Sequence, residues 1–264
     1  MCLLTFFPEA VMPDTAALFN GALFNDDGHG YAIVAEDRLI VGRGMNATHM
    51  IEEFQAARRQ HPHGPALFHS RFGTHGQRGT ANCHPFPLGG DTRTVLAHNG
   101  VLPAAVQPGK NDPRSDTRIA AEEFLPTFAS LRTRRGRLRL QRWMTPDNKI
   151  VILTVDRRFR QRAYILNEQS GIWDGRIWYS NDGYLPLQTS RWTRRTDELW
   201  ERRLDRLAGW DRLDRCVYCQ AVVDPSEGYC CYCGWCCDCD QPLEDCFCYP
   251  PPVLDKPITR GANT

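Results

Sequence analysis

The sequence has 264 residues, of which 42% are hydrophobic and 24% charged, with a formal net charge of +1. That length accommodates one large domain, alone or with a small appendage. So balanced a charge gives no global electrostatic pull toward nucleic acid or an acidic membrane. No apolar run approaches the roughly 20 residues needed to span a bilayer. The start lacks the basic n-region and small-residue cleavage site of a signal peptide, so the expected location is cytoplasmic.

From the start, Cys2 stands in an apolar stretch, MCLLTFF, where a free cysteine ordinarily behaves as a small hydrophobe. Strands are predicted at Tyr31–Val34, Ala66–His69, Thr94–Ala97, Ile150–Val155, Ala163–Leu166 and Arg176–Tyr179. Each is short, rich in β-branched or aromatic residues, and bounded by turn formers. The turn from Asp156 to Gln161 reads as a hairpin. Two helices are expected among them. One starts near Thr48 as its N-cap and buries Ile51 and Phe54. The other follows Ser115-Asp116-Thr117, with Ala120, Phe124 and Phe128 on one face and Pro126 bending or shortening it. Ser130–Trp143 carries six arginines. With Gly136 suggesting a turn and no aromatic platform interleaved, it reads as a solvated loop or strand edge. Strands covered by helices imply a layered α+β architecture.

Three polar motifs follow predicted strands or open a helix, where scaffolds present chemistry. In HSRFGTHG (His69–Gly76), Arg71 offers a planar fork for a carboxylate. In AHNG (Ala97–Gly100), Asn99 and Gly100 supply the side-chain and backbone donors that hold an oxyanion. In SDT (Ser115–Thr117), Asp116 can accept from an ammonium group. Together they describe a pocket for an α-amino acid with a donor pair for a tetrahedral intermediate.

MC at the terminus, DGHGYAI (Asp27–Ile33), HSRFGTHG, NCHPF (Asn82–Phe86), AHNGVL (Ala97–Leu102) and SDT occur in one order. This pattern, from Cys2 to about Pro186, resembles the class II glutamine amidotransferases, whose nucleophile is an N-terminal cysteine. The resemblance implies a four-layer αββα sandwich of the N-terminal nucleophile hydrolase type. It assigns Cys2 as nucleophile and Asn99 with Gly100 as oxyanion hole. It places Arg71 on the glutamine α-carboxylate, Thr74 and His75 along that end of the pocket, and Asp116 on the α-amino group. Phe72 and Gly73 stand where Trp and Ala are commoner in the family. Cys83 replaces a small residue beside His84 and is read as structural.

Removal of Met1 would expose an α-amino group with a pKa of about 7.7–8.0, a base for the thiol that needs no histidine. The implied reaction releases glutamate and ammonia from glutamine or a γ-glutamyl amide. No segment of these residues reads as an ammonia-consuming domain. A separate ammonia-accepting enzyme, or a γ-glutamyl substrate needing no acceptor, are therefore both open. So is a non-catalytic zinc-binding protein on a vestigial fold. No organic cofactor is expected.

From Thr196, TDELWERRLDRLAGW has helical spacing with Leu199, Trp200, Arg203, Leu204 and Leu207 on one face, reading as a linker helix over 191–214. It separates an amidotransferase-like domain, 1–190, from a cysteine-rich module, 215–250, and a tail at 251–264 expected to be disordered. Ten of the twelve cysteines fall between Cys216 and Cys248. In a reducing compartment such density favours metal over disulfides. Cys216, Cys219, Cys230 and Cys233 form C-x2-C-x10-C-x2-C, a tetrahedral thiolate set for structural zinc, as in a zinc ribbon. Cys236, Cys239, Cys246 and Cys248 suggest a second site, with Cys237 as an alternative to Cys236 and Cys231 spare. So small a module would fold with its metal and serve as a stapled interaction module, with docking of nucleic acid or protein left open. Elemental analysis of the full chain is expected to find zinc, with Cys216→Ser lowering the stoichiometry; equal zinc in both proteins would remove the first site.

Overall fold

The computed structural model describes residues 2–73 and 76–186. Thr74, His75, the linker helix, the cysteine-rich module with all eight of its expected ligands, and the tail fall outside them. Among the described residues, ten strands form two sheets in which every neighbouring pair is antiparallel. The first contains β1 (Leu3–Phe7), β2 (His29–Val34), β3 (Leu39–Gly44), β4 (Ala66–Ser70), β9 (Ile172–Asp174) and β10 (Ile177–Tyr179), in the order β3-β2-β4-β1-β10-β9. The second contains β5 (Phe86–Leu88), β6 (Asp91–Asn99), β7 (Lys149–Thr154) and β8 (Ala163–Leu166), in sequence order.

Alternation along the strands makes three apolar layers. Leu4 and Phe6 of β1 meet Val95 and Ala97 of β6, Val151 and Leu153 of β7, and Trp178 of β10, forming the core between the sheets. The opposite face of the first sheet sends Phe7, Tyr31, Ile33 and Phe68 toward α1 (Thr15–Phe24) and α2 (Ala47–Gln60). The opposite face of the second sheet packs Leu96, Ile150 and Ile152 against Ala120, Leu125, Leu140 and Met144. The order is therefore helices, sheet, sheet, helices. This agrees with the expected four layers for residues 2–186. With helices or a sheet on either face, β1, β2, β4 and β7 are buried at every residue and carry apolar side chains on both faces rather than alternating.

The helices differ from the sequence reading in three places. The N-cap of α2 is Asn46, whose side-chain Oδ1 accepts from His49 N–H at 2.9 Å, and Thr48 already lies inside the helix. Asx side chains cap at least as well as Thr, and the two stand two residues apart. An unexpected first helix, α1, is capped by Asp14 through Ala17 N–H at 3.1 Å. The arginine-rich segment is neither loop nor strand edge but α5 (Arg134–Met144), capped by Thr133 on Gly136 N–H at 3.0 Å. Arginine guanidinium groups lie over aromatic faces there, with Arg137 Cζ 3.9 Å from the Tyr164 ring centroid and Arg139 Cζ 4.5 Å from that of Phe128.

Ser115 caps the helix expected after it, its hydroxyl accepting from Arg118 N–H at 3.2 Å. That helix runs as α3 (Asp116–Ile119), a π-helical stretch at Ala120–Phe124, and α4 (Leu125–Phe128). Pro126 lacks an N–H for its own turn, and the widened stretch sits immediately before it. Among the described residues, no helix is long and apolar enough to cross a membrane.

Phe54 is fully buried, with ring centroids of Phe7, Tyr31 and Phe68 at 5.3, 5.3 and 5.4 Å. Phe54→Ala is expected to lower unfolding stability by about 3–5 kcal/mol. Denaturant melts measure it, and a loss below about 1 kcal/mol would show that this layer repacks freely.

Candidate functional site

The topology gathers the ends of several strands at one end of the sandwich. In the pairing of β1 with β4, Leu3 faces Ser70, so Cys2 and Arg71 flank the same sheet end. Thr5 pairs with Tyr179 of β10, which brings Ser180 and Asn181 alongside. In the second sheet Asn99 pairs with Lys149. Cys2 shares the parity of Leu4 and Phe6, and Asn99 that of Val95 and Ala97, so both stand on the inter-sheet face.

A small pocket opens here, lined by Cys2, Arg71, Phe72, His84, His98, Gly100, Ser115, Asp116 and Thr117. Four sequence-predicted residues, Cys2, Arg71, Gly100 and Asp116, thus line one pocket. The Asn99 amide is turned instead toward Ser180, 2.6 Å from its hydroxyl oxygen. Cys2 Sγ accepts from Phe72 N–H at 3.3 Å and sits 3.5 Å from Phe72 O. Asn181 Nδ2 donates to Cys2 O at 2.8 Å, fixing the backbone beneath the thiol.

Two loops hold the cationic side. Arg71 N–H donates to Gly28 O at 2.8 Å, Asp27 N–H donates to Arg71 O at 3.0 Å, and Arg71 Nη1 reaches Asp27 O at 3.3 Å. Asp27 Oδ2 also accepts from Gly73 N–H at 2.8 Å. Gly28 has φ +122°, and a Cβ there would lie 2.3 Å from Cys83 Sγ. Cys83 therefore acts as packing for this loop. It is buried, and burial pushes its thiol up to about 11.

Asp116 is held from its own helix end. Oδ2 accepts from Leu102 N–H at 2.9 Å and Oδ1 from Thr117 N–H at 2.6 Å, with Thr117 Oγ1 3.2 Å away. An ionised carboxylate has about four acceptor positions, which leaves room for a ligand. Gly100, with φ +137°, has Asn148 Oδ1 2.3 Å from where a Cβ would sit. Asn148 amide donates to Met144 O and Thr145 Oγ1, so its Oδ1 takes the Nε2–H of His98 at 2.8 Å. His98 Nδ1 lies 2.9 Å from Thr117 Oγ1. Both ring nitrogens of His98 are thereby engaged, as a structural histidine requires.

Sequence reasoning missed His84, whose Nδ1 accepts from His98 N–H at 3.2 Å and whose ring stacks on His69 at 4.0 Å. It also missed Ser180 and Asn181; the only signal was polar residues directly after a predicted strand. Burial raises the Cys2 thiol above its ordinary value, while Phe72 N–H and Arg71 pull it back toward ionisation. Burial lowers His69 to about 3 and His29 to about 4, and lowers His84 and His98 as well. Among the described residues, no three metal-ligating side chains cluster.

No family model matches the chain, and no curated protein matches it. Among solved structures, glutamine phosphoribosylpyrophosphate amidotransferase from B. subtilis, complexed with ADP and GMP, is similar at 16% identity and TM-score 0.45. The match covers 68% of this chain and 41% of that one. The allosteric regulatory enzyme of purine biosynthesis gives the same values. The chain thus spans less than half the length of either protein.

The buried histidines set a pH dependence. Their folded pKa values lie below the ordinary 6.5, so the unfolded chain binds more protons in between, and stability rises with pH. Their contribution is complete above pH 6.5 and is lost as pH falls toward about 4 and then 3. Unfolding free energies from urea melts between pH 7.5 and 4 are expected to fall, by up to about 1.4 kcal/mol per pH unit for each histidine. A flat profile over that range would place these rings in solvent.

Proposed function

We propose that this protein is a class II glutamine amidotransferase-like amidohydrolase, with Cys2 as nucleophile once Met1 has been removed. What supports it is the one pocket that Cys2, Arg71, Gly100 and Asp116 line together. A sulfur nucleophile, a carboxylate-binding fork and an acceptor for ammonium are the three groups that a γ-amide of an α-amino acid requires.

Arg71 takes the α-carboxylate and Asp116 the α-amino group, leaving the side-chain amide toward Cys2; Thr74 and His75 are proposed as further substrate-binding residues. The thiol is held above its ordinary pKa by burial, so a base must remove its proton. The α-amino group of Cys2 serves, at an ordinary pKa of about 7.7–8.0. The thiolate adds to the amide carbon, and the negative charge that develops on oxygen is stabilised by Gly100 N–H and the Asn99 amide. The amine returns its proton to the leaving nitrogen, the C–N bond breaks, and ammonia departs. Water then adds to the thioester, releasing glutamate and restoring the thiol. Ammonia passes to a separate acceptor enzyme, and the zinc-stapled module at 215–250 serves as the interaction module.

Full-length protein with its amino terminus confirmed by mass spectrometry is expected to release ammonia from glutamine or a γ-glutamyl amide. Cys2→Ala should reduce turnover at least about 1,000-fold, and Arg71→Lys should raise KM about 10-fold by replacing a bidentate fork with a point charge. Turnover that survives Cys2→Ala, or none from any γ-glutamyl amide, would overturn the proposal.

A further inference from the structure

The Asn99 amide has a buried orphan. Nδ2 lies 2.6 Å from Ser180 Oγ, while Oδ1 is fully buried with no hydrogen-bond partner. Ser180 is itself fully buried and tied into β1 twice. Its Oγ accepts from Leu4 N–H at 2.9 Å, and its own N–H donates to Leu4 O at 2.8 Å. In this arrangement Ser180 Oγ accepts two hydrogen bonds, and among the described residues its own proton is given to none.

The two ends of an amide are alike in size and opposite in chemistry, so the surrounding network decides which end faces which partner. A separation of 2.6 Å is short for N–H···O, whose range begins near 2.7 Å, and ordinary for O–H···O. Turning the Asn99 amide over lets Ser180 donate to Oδ1 while still accepting from Leu4. The serine is then fully used, and the unpartnered end of Asn99 becomes an NH2 group. An orphaned buried carbonyl oxygen can do nothing for a developing negative charge, whereas an orphaned buried donor is what such a charge needs.

We infer that Ser180 is a positioning residue: its hydroxyl donates to Asn99 Oδ1 and so turns the Asn99 amide nitrogen toward the oxyanion formed on Cys2. The catalytic part rests on the amidohydrolase reading above; the orientation of the amide does not. Because Ser180 hangs from Leu4, two residues from the nucleophile, one strand sets both the sulfur and the donor that stabilises its adduct. No atom is transferred through Ser180.

A neutron structure of the full chain tests the orientation without any activity. Deuterium on Ser180 Oγ directed at Asn99 Oδ1 is expected; an ND2 group facing Ser180 would overturn the inference. Kinetics test the consequence. With γ-glutamyl-p-nitroanilide, Ser180→Ala should lower kcat about 10–100-fold and change KM less than about twofold, since removing one oxyanion donor outright costs 10²–10³. The same variant should leave alkylation of Cys2 by iodoacetamide unchanged, because displacement at a saturated carbon forms no oxyanion. An unchanged kcat, or parallel losses in acylation and alkylation, would reduce Ser180 to a packing residue. A wild-type chain inert to every γ-glutamyl amide would instead end the amidohydrolase reading, with the neutron map still deciding the amide.

Discussion

Everything at the candidate site hangs from the central position of β1 in its sheet. Antiparallel pairing with β4 on one side and β10 on the other fixes Leu3 opposite Ser70 and Thr5 opposite Tyr179. A slip of one residue would turn Cys2 to the outer face, toward the helices, and put Leu3 on the inter-sheet face. The register is held by burial on both sides: Leu4 and Phe6 fill the inter-sheet core, and Phe7 fills the layer under α1 and α2. Burying each such side chain contributes about 1.5–3 kcal/mol, so the apolar residues of β1 set where the sulfur stands.

How much of this was legible in the sequence depended on whether a residue's role was local. Strands β4, β7 and β8 could be read because each holds a short run of apolar residues bounded by turn formers. Ile51 and Phe54 could be placed in the core because helical spacing is a local pattern. The segment Ser130–Trp143 could not. Its arginines look solvated in sequence, but the guanidinium groups of Arg137 and Arg139 lie over Tyr164 and Phe128, contacts that only the tertiary structure creates. Gly136 signalled a turn and is instead a helical residue packed against Ser130 O, where a Cβ would come within 1.9 Å.

The site divides the same way. Arg71, Gly100 and Asp116 were recognisable because each sits in a motif at the end of an element, and the pocket brings them beside Cys2. Asn99 was recognisable as a residue but not in its orientation, which depends on Ser180, 81 positions away. His84 was passed over because nothing local says that its ring will stack on His69 and accept from His98 N–H.

These buried rings bear on the chemistry of the thiol. A wall of neutral imidazoles beside Cys2 excludes water without supplying charge, so burial raises the thiol's pKa and leaves it protonated. Such a sulfur is inert unless a base stands next to it. His98 is a poor choice, since Thr117 and Asn148 occupy both its nitrogens and its own pKa is lowered. His84 is no better, with Nδ1 committed to a backbone N–H and its ionised form strongly disfavoured. The same environment disables the neighbouring histidines as bases, which is why the proposed reaction draws its base from an amine on Cys2 itself.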